Sequence, residues 1–570
     1  MERIKNEEMK IIVYQVLPRL FGNNRSEYVW NGTIQENGCG KLADFTLKAL
    51  KEIKKLGVTH IWYTGIMEHA TQTSYEAFGI PADHPAVVKG KAGSPYAIKD
   101  YYDVDPDLAT DVSCRMQEFE ELVKRTHKAG LKVIVDFVPN HVARRYHSDV
   151  QPKGVKQLGE DDDTTCAFSP SNNFYYIPDE ALNGEFDRKA GADAAYYEFP
   201  AKATGNNRFD AHPNINDWYE TVKLNYGVDY SGGTTAGYFD PVPDTWTKML
   251  DILLFWASKN IDGFRCDMAE MVPVDFWEWA IPQVKQRHQR LLFIAEVYNP
   301  SEYRNYLERG KFDYLYDKVG LYDTLRNIVC GYESATAIAR SWQSLGGLEK
   351  RMLNFLENHD EQRVASDFFA INPFRAIPAL IVAACMNTNP LMIYFGQEFG
   401  ELGMDSEGFS GRDGRTSIFD YGRVDTIRRW RNEDKFDGKL LTDEQKQLYA
   451  LYRRILTLCL KERAVSEGDF FDLTYVNING WRFNEHKQFA FMRKAGNELL
   501  FVVVNFDYVA VNVVVNLPSH AFDYLQIPQQ EAYAATDLIT GNSETISLLP
   551  YKATSVSVDS HSGKILKIVL

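Results

Sequence analysis

Four short stretches put charged or polar side chains where buried strands should end. They are VDFVPNH, with Asp136, Asn140 and His141; GFRCD, with Arg265 and Asp267; FIAEVYNP, with Glu296; and FLENHDEQR, with Asn358, His359, Asp360 and Arg363. Three converging carboxylates suit either glycosidic cleavage or a metal site. Cleavage needs one ionised carboxylate and one protonated acid flanking the scissile bond. Arg265 precedes Asp267 by two residues and so points to the same side of a strand. Its permanent charge is expected to lower the Asp267 pKa and keep an anion there, as a nucleophile requires. Glu296 has apolar neighbours and no cation beside it in sequence, so its pKa is expected to rise, which suits a general acid. His141 and His359 do not form an HxH pair on one strand, which disfavours a metal-dependent hydrolase.

The elements that must position these groups are legible as an alternation. Apolar runs MKIIVYQV, VTHIWYTG, LKVIVDFV, IDGFRC, LLFIAEV, FDYLYD, MLNFLEN and NPLMIYFG read as strands. Helical patterns such as FTLKALKEIKKLG and MQEFEELVKRTHKAG precede several of them and end in a lysine-rich turn and glycine. Eight doubly buried strands predict a closed parallel (β/α)8 barrel. A doubly wound open sheet is the alternative, but no glycine-rich phosphate loop follows the first strand. Asp267 and Glu296 are 29 residues apart, and Glu296 and Asp360 are 64 apart. At roughly 31 residues per β/α unit, these carboxylates fall on strands four, five and seven, at the barrel's C-terminal mouth.

Around this barrel the pattern changes twice. Residues 142–245 have little helical period and are rich in Asp, Asn, Gly and Tyr, which predicts a domain inserted after strand three. The barrel then comprises residues 1–141 and 246–465. From 466 to 570, strand-like runs such as FAFMRK, LLFVVVNF, VAVNVVVNL and SVSVDS predict an antiparallel β-sandwich domain.

Composition narrows the partners. The 570-residue chain is 45% apolar and carries a net charge of −15, with no basic stripe, which argues against nucleic acid or an anionic membrane surface. No apolar run approaches the roughly 18 residues of a membrane span. Seven cysteines at 39, 114, 166, 266, 330, 385 and 459 form no CxxC pair and read as reduced thiols. The opening MERIKNEEMK lacks an apolar signal core, so a cytoplasmic location is expected.

Together the four stretches resemble the conserved regions of the α-amylase superfamily, glycoside hydrolase family 13. The resemblance extends to VYQVLPRLFGN, SPYAIKDYYDVDPDLAT and MIYFGQEFG. It implies Asp267 as nucleophile, Glu296 as acid/base and Asp360 as the carboxylate that steadies an oxocarbenium-like state. His141 and His359 would bind hydroxyls of the sugar, Tyr96 would stack under its ring, and Asp136 would brace the mouth. Asn358 and Arg363 stand as supporting residues of the fourth stretch. The implied reaction is double displacement with retention on α-1,4-linked glucans. A transglycosylase or isomerase using the same intermediate is the alternative, and a non-catalytic carbohydrate-binding protein is a third.

No organic cofactor is implied. Asn140 matches the family's calcium-binding asparagine, which makes one Ca²⁺ between insert and barrel an expectation. EDDD at 160–163 and Asp103, Asp105, Asp107 and Asp111 of DVDPDLATD are further acidic candidates. Three places depart from the family, and of these Glu270-Met271 sits on the acceptor side. Glu270-Met271 stands where many α-amylases have Lys-His, Ala97 where exo-acting relatives have aspartate, and Ser94 where some have histidine. Trp218, Tyr219 and Tyr226 of the insert read equally as sugar platforms or as its own core. The loop SEGFSGRDGRTSIFDY reads as a further wall of the cleft.

Overall fold

The computed structural model describes residues 10–184, 186, 191–230, 234–405 and 411–570. The chain before Lys10 and the 406–410 part of the SEGFSG loop lie outside the described residues.

Eight parallel strands close a barrel: β1 (Ile12–Val16), β2 (His60–Tyr63), β3 (Lys132–Phe137), β4 (Gly263–Cys266), β5 (Leu292–Ala295), β6 (Tyr314–Tyr316), β7 (Met352–Phe355) and β8 (Leu391–Tyr394). Each pairs in parallel with its sequence neighbours, and β1 closes on β8 through Ile12↔Leu391 and Tyr14↔Ile393. All eight sequence runs became these strands.

The alternation along each strand explains where the chemistry points. Val13, Trp62, Ile134, Ile294, Leu353 and Met392 form an apolar plug inside the barrel. Two residues further along the same inward parity stand Gln15, Asp136, Glu296 and Phe355. The opposite parity, with Val133, Val135, Phe264 and Phe293, packs into the larger core beneath the helices. The polar mouth is therefore the next inward layer above an apolar floor.

Helices brace the outer face. α1 (Leu47–Lys55) starts at Thr46, whose side chain accepts the Ala49 amide, and buries Ala49, Leu50 and Ile53. α2 (Arg115–Lys128) buries Phe119, Leu122 and Val123 at helical spacing. Each such side chain contributes about 1.5–3 kcal/mol when fully buried.

After β3 the chain makes a short antiparallel pair of His141–Ala143 with Thr221–Lys223, in register His141↔Lys223. A separate small core of Leu182, Phe186, Tyr196, Ala211 and Tyr219 lies further out. The C-terminal part is antiparallel, with β9 (Asp469–Asp472), β10 (Gln488–Ala495), β11 (Glu498–Asn505), β12 (Val511–Val515), β13 (Gln530–Asp537), β14 (Ser543–Leu548), β15 (Thr554–Val558) and β16 (Ser562–Val569). Six of these form a sheet in the order β9-β10-β11-β16-β13-β14, and β12 pairs with β15. Buried Arg493 ties this unit to the barrel by donating to the Met386 carbonyl at 2.7 Å.

Candidate active site

Asp267 and Glu296 are the first residues beyond β4 and β5, and their amides continue the parallel ladder onto Phe137 and Cys266 carbonyls. Asp360 follows β7 on a turn held by Asn358, whose side-chain oxygen accepts the amides of Asp360 and Glu361, both at 2.9 Å. The turn is an Asx-type cap, the local structure that an asparagine two residues ahead favours.

Arg265 joins these groups. Its Nη1 donates to Asp267 Oδ1 at 2.6 Å, and its Nη2 donates to Glu296 Oε2 at 2.6 Å. Asp136 Oδ1 lies 3.4 Å from Nη1, and Nε donates to the Tyr316 hydroxyl at 3.1 Å. The guanidinium is 1% exposed and is surrounded by the rings of Trp62, Tyr96 and Tyr316 at 5.1–5.5 Å. Trp62 Nε1 donates to Asp136 Oδ2 at 2.9 Å, which fixes that carboxylate as a brace behind Arg265.

Two sequence expectations change here. Glu296 lacks a cation only in sequence; in space it shares Arg265 with Asp267. Asp267 is not pulled below the ordinary carboxylate value. Burial pushes it well above, Arg265 opposes that push, and the neighbouring Glu296 charge adds to it. Burial also lifts Asp136 to about 6 against the pull of Arg265. Asp360 is lifted to about 7, first by burial and then by Glu296. Its side chain is 43% open at the mouth, so solvent relieves that push more than it does at Asp267. Asp136, Asp267 and Asp360 are all lifted in one buried cluster around a single guanidinium, so their titrations are coupled.

The two histidines flank the mouth as neutral rings. Gln15 Nε2 donates to His359 Nδ1 at 2.7 Å, which leaves Nε2 facing Asp360 Oδ2 at 3.1 Å. Burial, aided by Arg265, drives the His359 pKa well below its usual value. His141 is held at about 3 by burial and then by Lys223. Tyr96 stacks on His359 with centroids 5.1 Å apart, and its buried hydroxyl has no hydrogen-bond partner. Arg363 does not reach the carboxylates. It is buried apart from them, donating to Glu357 and to the Phe395 carbonyl at 2.9 Å each.

Residues 15–437 match the family described as "Alpha amylase, catalytic domain". The chain belongs to the α-amylase family. As a member it is a glycosidase. It is similar to alpha-amylase 2 of Dictyoglomus thermophilum, 22% identical over 508 residues, which is 87% of this chain and 69% of that protein. It is also similar to neopullulanase 2 of Thermoactinomyces vulgaris, 21% identical over 551 residues, or 93% of this chain and 73% of the other. Among solved structures, the α-amylase of Geobacillus thermoleovorans complexed with acarbose superposes with a TM-score of 0.63, at 19% identity, over 98% of each chain.

Tyr298 and Met268 of this α-amylase-family site were not singled out from sequence. Tyr298 donates its hydroxyl to Glu296 Oε1 at 2.5 Å, and the Met268 amide donates to Oε2 at 2.9 Å. Glu270 Oε2 accepts the amides of Tyr298 at 3.1 Å and Asn299 at 2.9 Å, so it anchors the loop that carries Tyr298. The signal for Tyr298 was its place two residues after Glu296, on the same parity. Of the insert aromatics, Tyr219 stacks on Phe186 and Tyr226 packs on Phe276 as core. Half-buried Trp218 instead leans on His141 at 5.3 Å. From the loop after β8, Arg415 Nε donates to the Asp360 carbonyl at 2.7 Å.

The calcium expected at Asn140 does not fit these residues. The Asn140 side-chain oxygen that would ligate the ion accepts instead from the Lys223 ammonium. Lys223 Nζ also donates to the Met271 carbonyl at 2.9 Å and is 2% exposed. Asn140 Nδ2 is occupied by the Gly205 carbonyl at 2.8 Å. The Lys223 amine already fills the position, supplied by a side chain 83 residues later that the His141↔Lys223 register places there, and burial lowers its pKa to about 7. The acidic loops are also committed. Asp162 accepts the Asn173 and Phe174 amides, while Asp161 pairs with Lys156. Of DVDPDLATD, Asp103 pairs with Arg115, Asp105 with His69, Asp107 accepts two tyrosine hydroxyls and Asp111 caps Ser113. These four do not share one site.

Proposed function

We propose that this glycosidase cleaves α-1,4-glucosidic bonds in malto-oligosaccharides or starch- and glycogen-type glucans with retention, through a covalent glycosyl-Asp267 intermediate. The observation that carries this reading is the single Arg265 guanidinium holding Asp267 and Glu296 at 2.6 Å each. Carboxyls gathered on one fork suit the short separation, about 5–5.5 Å, that a retaining mechanism uses.

In this reading Asp267 attacks the anomeric carbon while Glu296 protonates the leaving oxygen, then takes a proton from the incoming water. Asp360, reached through the open part of the mouth, holds sugar hydroxyls as positive charge develops on the ring. His141 and His359, kept neutral, donate to hydroxyls, and the Tyr96 ring forms the floor of the subsite. The unpartnered Tyr96 hydroxyl and Asn358 Nδ2 are polar groups that a bound sugar would satisfy.

Incubation with maltoheptaose, followed by chromatography and anomeric NMR, tests the proposal. Short maltosaccharides released first as α-anomers support it. β-Anomeric products overturn retention, and longer products with conserved linkage number favour the transglycosylase reading.

A further inference from the structure

Away from the mouth, the segment after β2 folds back as Met67–His69 against Ile98–Val104. The pairing is irregular. Met67 faces Val104, Glu68 faces Asp100 and His69 faces Ile98, with a break in register on each side of Glu68. In a regular strand Asp100 and Asp103, an odd number of residues apart, point to opposite faces. The bulge removes that alternation and turns both toward Glu68. Oxygens of Glu68, Asp100 and Asp103 all lie within 4.8 Å of one another. Ligands at about 2.3–2.6 Å from one calcium ion span that spacing.

The partners of the three carboxylates are unequal. Asp103 Oδ2 accepts from Arg115 Nε at 2.8 Å. Asp100 accepts the Tyr102 amide at 2.7 Å and the Asp149 amide at 2.9 Å. Glu68 is 1% exposed, and neither of its oxygens has a hydrogen-bond partner. Lys99, whose charge also acts on Glu68, is hydrogen-bonded to the Pro81 carbonyl at 2.7 Å and lies 3.2 Å from Asp83. Asp149 adds further negative charge nearby. Both Glu68 oxygens are thus buried without a donor beside two further carboxylates that share one guanidinium, an arrangement a divalent ion would satisfy. Burial and then Asp100 lift the lone Glu68 to about 9. An all-oxygen donor set selects a hard cation, and calcium tolerates irregular geometry better than magnesium.

We propose that Glu68, Asp100 and Asp103 form a structural calcium site that pins the bulged hairpin after β2, separate from the Asn140 position that Lys223 occupies. The ion locks the hairpin whose neck carries Tyr96, so its removal loosens the floor of the active site from a distance.

The full chain, stripped with chelator and exchanged into metal-free buffer, is titrated with CaCl2 by calorimetry and thermal unfolding, with MgCl2 in parallel. One Ca²⁺ bound per chain with a saturable rise in melting temperature is expected. Glu68→Gln, close in shape to the native residue, should weaken Ca²⁺ binding at least a hundredfold, and Glu68→Asp at least tenfold. Asp162→Asn, in the acidic insert loop, should leave the titration unchanged. Wild type that neither binds Ca²⁺ nor gains thermal stability overturns the proposal, whatever the variants do. Binding retained in Glu68→Gln overturns the site. A rise at lower Mg²⁺ than Ca²⁺ concentration overturns the choice of ion.

Discussion

Tyr298 donates its hydroxyl to Glu296 on Oε1, the oxygen opposite the one held by Arg265 and the Met268 amide. Both oxygens of the proposed acid/base are therefore oriented before substrate arrives. A hydrogen bond to a charged group contributes about 1.5–3 kcal/mol. Tyr298→Phe is expected to lower kcat/KM roughly ten- to hundredfold while the melting temperature stays within a few degrees. Steady-state kinetics on maltoheptaose check this, and unchanged kcat/KM contradicts it.

Glu270 acts on the same bond from one step away, through the amides of Tyr298 and Asn299. Glu270→Ala should lower kcat about tenfold by releasing that loop. The double variant with Tyr298→Phe should lose less than the sum of the two free-energy changes, because both act through one contact. Additive losses in the double-mutant cycle would separate Glu270 from Tyr298.

Lys223 holds Asn140 and the Met271 carbonyl together across the insert and the barrel. Lys223→Met leaves both acceptors buried without a donor, at a cost of about 1–3 kcal/mol each. A lower melting temperature and reduced kcat are expected, and added Ca²⁺ should restore neither. Recovery with Ca²⁺ would show that the position accepts a metal once the ammonium is gone.

Asp136 gives a pH signature. Its folded value is lifted from 3.8 to about 6, so burial of its neutral form favours folding at acid pH. Below about 4 both folded and unfolded states carry the proton; as pH rises through about 6 the folded state must hold an anion that burial disfavours. The stability of wild type relative to Asp136→Asn should therefore fall by on the order of 2–3 kcal/mol between pH 4 and pH 7. Urea unfolding of both proteins across that range measures it. A flat difference contradicts the lifted value.

The barrel was legible because each strand is a doubly buried apolar run, and because β/α units repeat at a near-constant length. The same regularity placed Asp267, Glu296 and Asp360 on strands four, five and seven. What the chain hid depends on contacts between distant segments. Sequence neighbours showed Arg265 beside Asp267 but not its second nitrogen on Glu296, which belongs to the next strand. Asn140 read as a calcium ligand because nothing near it in sequence shows that Lys223 folds back beside it. DVDPDLATD read as a loop with four like ligands, whereas each aspartate found its own partner, and the bulge brings Asp103, paired with Arg115, beside Glu68 and Asp100. The expected fall in the Asp267 pKa weighed the adjacent arginine without the cost of burying the carboxylate itself.

The central claim is that Asp267 forms the covalent bond to the sugar. A fluorinated α-glucosyl fluoride, which forms the intermediate faster than water removes it, labels the nucleophile for peptide mass spectrometry. The label is expected on the peptide carrying Asp267 and is expected to be absent from Asp267→Asn. A label on Glu296 or Asp360, or turnover of the reagent with no adduct and with β-anomeric product, would contradict the account.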